Sequence, residues 1–104
     1  MDFEHLTAEC QKFLADNGAE NICVYNSKNS KATKKIVVAT KPDEQDVKKL
    51  AKQFQEYIKQ FKNPLHTDGI FKGEWVVFDL EEVIVHILTD STKKKYNLDK
   101  MFGA

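Results

Sequence analysis

The chain has 104 residues, 41% hydrophobic and 31% charged, which suits one domain over residues 1–104 with its own core and no need of disulfides or metal. Sixteen basic residues, all lysines, balance sixteen acidic ones, so net charge points to neither nucleic acid nor a membrane surface. The lack of arginine argues against a site built on bidentate phosphate or carboxylate recognition, although genome composition alone produces such usage.

Asp2 to Asn17 reads as a first helix, with Phe3, Leu6, Cys10, Phe13 and Leu14 at helical spacing and Asn17-Gly18 as its stop. Asn21 to Tyr25 is a short strand, and Asn26 to Lys31 a polar turn. Lys34 to Thr40 is a second strand whose Ile36-Val37-Val38 run predicts burial on both faces. Pro42 and Asp43 open the longest helix, Asp43 to Lys62, with an apolar stripe of Val47, Leu50, Ala51, Phe54, Tyr57, Ile58 and Phe61. His66 to Lys72 is a loop or short edge segment turning at Asp68-Gly69. Asp90 or Ser91 caps a short helix through Tyr96, and Leu98 to Phe102 forms a last helical turn stopped by Gly103. The order is α-β-β-α-β-β-α with room for one more strand, an α/β (α+β) fold with helices packed on a mixed sheet. The second strand, the long helix and a later strand can form a right-handed crossover with parallel strands.

The stretch Gly73 to Leu88, GEWVVFDLEEVIVHIL, is the most hydrophobic and holds the only tryptophan. It reads as a hairpin turning at Leu80 to Val83, with Trp75 opposite Leu88, Val77 opposite His86 and Asp79 opposite Ile84. Val76, Phe78, Leu80, Val83, Val85 and Ile87 then share one apolar face. Trp75, Val77, Asp79, Ile84, His86 and Leu88 share a mixed one.

Phosphate-loop, dinucleotide, zinc and nucleophile-elbow patterns are absent. Cys10 and Cys23 are isolated, which suits buried thiols in a reducing compartment. No apolar run is long enough to cross a bilayer and the start MDFEH is not a targeting peptide, so the expected location is the cytoplasm. Asp79 and His86 sit diagonally on the mixed face, a pair that is either structural or suited to acid–base work. Trp75 is either core or the anchor of a protein contact. Lys93-Lys94-Lys95 is either a solvated face or a guide to an anionic partner such as ribosomal RNA.

From Gly73 to Phe102 the chain resembles the signature of the ribosomal silencing factors, the Iojap family. Shared features are Trp75, Asp79-Leu80, the acidic turn Glu81-Glu82, Val83 to His86, Lys93 to Lys95, and Tyr96, Leu98, Met101 and Phe102. Asp68-Gly69, and IVVAT followed by a helix with VKKLA, extend the resemblance over the whole chain. The departures are Lys34 for an Asp, Lys41 for a Gly, Gln45-Asp46 for an Arg-His pair, Glu81 for a turn Gly and Phe102 for a Trp.

The resemblance implies a non-enzymatic repressor that binds the large ribosomal subunit through its ribosomal protein fourteen and blocks joining of the small subunit. It also implies a nucleotidyltransferase-like fold. The Gly-Ser and paired-carboxylate pattern of those enzymes is missing, so neither their activity nor a cofactor is expected. The expected partner-binding residues are Trp75, Val77, Asp79, Ile84 and His86, with Lys93, Lys94 and Tyr96 beside them. Two other readings are a nucleotide-handling enzyme using Asp79 and His86, and a homodimer paired through the mixed face.

Overall fold

In the computed structural model, residues 3–26, 34–98 and 100 are described. The elements run α1 (Phe3–Asp16), β1 (Glu20–Asn26), β2 (Lys35–Lys41), α2 (Glu44–Ile58), β3 (His66–Asp68), β4 (Trp75–Asp79), β5 (Val83–Thr89) and α3 (Asp90–Tyr96). The expected helix start at Asp2, the turn from Ser27 to Lys31, the Phe3 side chain, and Asp99 and Met101 to Gly103 of the last turn lie outside the described residues.

Among the described residues, five strands form one mixed sheet in the order β1-β2-β5-β4-β3. Only the β2–β5 pairing is parallel. The segment between those two strands holds α2 and the outer hairpin strands, so the long helix does serve a parallel connection.

The helices start and stop for local reasons. Gly18, at φ +83, ends α1: its N–H bonds to Ala15 O (3.1 Å) and that of Ala19 to Leu14 O (2.9 Å), the paired closure that a left-handed residue permits. Asp43 caps α2 by accepting from Asp46 N at 2.9 Å. The expected apolar stripe of α2 packs on the sheet, with Val47, Leu50, Ala51, Phe54 and Ile58 buried. The helix ends at Ile58, four residues short of expectation. Phe61 N turns back to Ile58 O (2.9 Å), a tighter winding that still lays Phe61 against the core.

α1 and α2 cover one face of the sheet. Beneath them Val37, Ala39, Val76, Phe78, Leu80, Val83, Val85 and Ile87 join Leu6, Cys10, Leu14 and the α2 stripe in one core. The rings of Phe54 and Phe78 meet edge to face at 4.9 Å across the helix–sheet boundary. All six residues assigned to the apolar face of the hairpin are fully buried here. The β4–β5 register is also the one expected, Trp75 to Leu88, Val77 to His86 and Asp79 to Ile84.

Gly69 fixes how the chain enters β4. Its φ is +89, and a β-carbon there would lie 2.0 Å from Trp75 O. Gly69→Ala is therefore expected to cost more than about 1 kcal/mol, read as a lower urea midpoint at an unchanged m-value.

Candidate partner-binding site

The second face of the sheet is assembled by register. Strand pairing lines up Tyr25, Ile36, Ile84, Asp79 and His66 in one row, and Cys23, Val38, His86, Val77 and Asp68 in the next. Thr40, Leu88 and Trp75 form a third. The second face carries a smaller buried cluster of Ile36, Val38, Leu88 and Leu98, with Tyr25 and Trp75 packed against it. Leu88, assigned to the mixed face, is fully buried there.

α3 follows β5 with no loop, because Thr89 does two jobs. Its backbone N–H bonds to Glu74 O at 3.1 Å, closing the end of the hairpin. Its hydroxyl accepts from Thr92 N at 3.2 Å and so caps α3. The expected cap at Asp90 or Ser91 is corrected by one or two residues: the last strand residue already has the extended backbone a cap needs, and Asp90 becomes first-turn charge. Asn97, in the left-handed region at φ +49, closes the other end and turns the chain so that Leu98 plugs the small cluster.

Trp75 is half-buried and held on two sides. Its Nε1–H donates to His86 Nδ1 at 2.9 Å, and its ring lies 5.5 Å from that of Tyr96. Val77, Asp79 and Ile84 are also half-buried, whereas His86 is only 8% exposed. Asp79 is used locally: its Oδ1 accepts from Glu81 N at 2.8 Å, bracing a turn in which Glu81 takes φ +78. That left-handed conformation favours glycine, and Glu81 takes it here. Asp79 and His86 are diagonal on this face, as the expected register places them; one atom of each is engaged, Asp79 Oδ1 by Glu81 N and His86 Nδ1 by Trp75 Nε1. Among the described residues, no group of three His, Cys, Asp or Glu is placed to hold a metal ion.

The lysine run divides. Lys93 and Lys94 line a shallow cavity of about 530 Å³ with Asn21, Asp90 and Asn97, towards β1. Lys95 and Tyr96 line a hollow of about 210 Å³ with Glu44, Glu74, Ser91 and Thr92. Five of the eight residues put forward from the sequence share one sheet face, and Tyr96 joins them through Trp75. Lys93 and Lys94 belong to a neighbouring surface.

Sequence reasoning missed Tyr25, His66 and Asp68 on the same face. Tyr25 needed the β1–β2 register, and β3 is too short to show an alternation. It also missed Phe71, 92% exposed in the loop before β4, with the Lys48 ammonium 6.0 Å from its ring centre.

The mixed α+β arrangement of the described residues, three helices and five strands, is similar to that of solved proteins. A crystal structure from Chromobacterium violaceum superposes with a TM-score of 0.91 at 24% identity, covering 100% of this chain and 88% of that one. One from Bacillus halodurans gives 0.82 at 22% identity, covering 95% and 94%. The ribosomal silencing factor RsfS of Chromobacterium violaceum is 26% identical over 105 residues, spanning 99% of this chain and 86% of that protein. Residues 1–104 match the family described as ribosomal silencing factor during starvation, and the chain belongs to that family. It is a family of ribosome-associated regulators of translation, not of known enzymes. No helix among the described residues is long and apolar enough to cross a membrane.

Burial lowers the His86 pKa from its ordinary 6.5 to about 4. The folded protein keeps this ring neutral while the unfolded chain takes up a proton below 6.5. The stability this supplies is complete above that pH and lost as pH falls towards 4. The loss is expected to be on the order of 3 kcal/mol. Urea midpoints from pH 7 to 4 for wild type and His86→Asn isolate it, because the variant retains every other titrating group.

Proposed function

We propose that this protein is a translational repressor that binds the large ribosomal subunit through ribosomal protein fourteen. There it blocks joining of the small subunit by occupying the surface where the two would meet. Such a factor acts among ribosomes, in the cytoplasm. Family membership supplies the ribosomal setting. The observation that carries the choice of surface is the second sheet face, where α3 and Leu98 close one end and leave Val77, Asp79 and Ile84 half-exposed beside Trp75.

This face has the make-up of an interface core. Trp75 and Tyr96 are rigid aromatic area that costs little entropy to bury, and Val77 and Ile84 offer apolar surface around them. Asp79 and Asp68 at the margin favour a partner that presents basic groups. Lys93 and Lys94, on the cavity towards β1, would meet ribosomal RNA phosphate as a minor contact. Occlusion needs no chemistry from the bound factor.

Co-sedimentation with purified large and small subunits tests this. Wild type is expected to pellet with large subunits only. Trp75→Ala and Ile84→Lys, each shown folded by circular dichroism, are expected to lose about 2 kcal/mol of binding, roughly thirtyfold in affinity. Unchanged affinity in both variants would overturn the choice of face.

A further inference from the structure

We infer that His86 is a positioning residue, which from beneath the surface fixes the indole of Trp75 in the one orientation that meets the partner. The inference rests on the reading of the second sheet face as the partner-binding surface. It assigns to His86 a role other than contact.

The first support is burial. At 8% exposure His86 has almost no area to offer a partner, whereas Trp75 is half-exposed. The second is geometry. His86 pairs with Val77 and Trp75 with Leu88, so the two are diagonal neighbours on adjacent strands. Diagonal sites on one face are far enough apart that only long or aromatic side chains meet. Here they do, with Trp75 Nε1 2.9 Å from His86 Nδ1 and the ring centres 5.9 Å apart.

The third support is chemical direction. An indole N–H can only donate, so His86 must present Nδ1 as a bare acceptor, which the neutral ring does with its proton on Nε2. One hydrogen bond therefore selects both the rotamer of the indole and the tautomer of the histidine. Tyr96 closes the other side at 5.5 Å, and the Leu88–Leu98 cluster lies against the same ring. A tryptophan at the start of an open strand otherwise has several staggered orientations, and a partner that needs one of them must order it on binding. Holding the ring beforehand removes that cost and keeps the N–H satisfied when water leaves the interface.

Because Trp75 is the only tryptophan in the chain, it reports on itself. The experiment compares wild type, His86→Leu, His86→Asn and His86→Gln by the single indole N–H resonance, its exchange with solvent, and affinity for purified large subunits. Leu removes the acceptor. Asn places an oxygen near the Nδ1 position, and Gln carries it one carbon further. The Leu variant is expected to shift the resonance, speed its exchange and weaken binding about three- to tenfold. Asn is expected to restore all three, and Gln to restore them less well.

Equal affinity of Leu and wild type while Trp75→Ala fails to bind would overturn the positioning role and leave the face assignment standing. Should Trp75→Ala and Ile84→Lys both bind normally, the face assignment falls and the positioning role with it; normal binding by Trp75→Ala alone overturns the positioning role and leaves the face standing. If the Leu variant does not fold, the Asn–Gln pair decides, and equal affinity in those two overturns the inference. A stability loss with an unmoved resonance marks His86 as structural only and overturns it as well.

Discussion

The register of the β4–β5 hairpin is the constraint on which the rest of the structure depends. It is set by a short turn in which Leu80 N bonds to Val83 O at 2.9 Å and Asp79 Oδ1 braces Glu81 N. A slip of one residue between the strands would turn one strand's set, Val76, Phe78 and Leu80 or Val83, Val85 and Ile87, out of the core. At about 1.5–3 kcal/mol for each large apolar side chain, that loss is about 5–9 kcal/mol, a large share of the stability of a small domain. β5 is also the parallel partner of β2, so the same slip would misalign the centre of the sheet. The face opposite the core is therefore fixed as a by-product of folding, and whatever it binds meets a rigid array.

What that face becomes depends on its cover. α1 and α2 bury the middle of one side of the sheet, where Val37, Ala39, Val76, Phe78, Val85 and Ile87 are fully closed, while α3 and Leu98 shield only one end of the other. Thr89 controls this division, since it ends β5, ties back to Glu74 and caps α3 without an intervening loop. The short helix consequently lands beside Trp75 and brings Tyr96 against it. The result is a graded surface: fully closed at Leu88, half-open at Trp75, Val77 and Ile84, and acidic at Asp68 and Asp79.

Much of this was legible in the sequence because the hairpin alternates cleanly with period two and the α2 stripe with period near 3.6. Those patterns alone placed the six core residues of the hairpin and the six that share its opposite face. Features that rest on one or two side chains were not legible. His-Thr-Asp in β3 has no alternation to reveal its register, so His66 and Asp68 went unassigned. Thr89, Asp90 and Ser91 are all competent caps, and only the absence of a loop decides among them. The Trp75–His86 bond is diagonal and depends on rotamers, which a strand pattern does not encode. The end of α2 was overextended because Phe61 continues the apolar stripe after the helical winding has stopped.

The central claim is that the face built from Trp75, Val77 and Ile84, and not the helix-covered one, meets the ribosome. The most direct measurement is site-specific photo-crosslinking to purified large subunits, with the reactive group placed at Ile84 on the open face or at Lys52 on the exposed side of α2. An adduct with a single large-subunit protein from position 84, and none from position 52, is the predicted result. An adduct from position 52 with none from position 84 would contradict it.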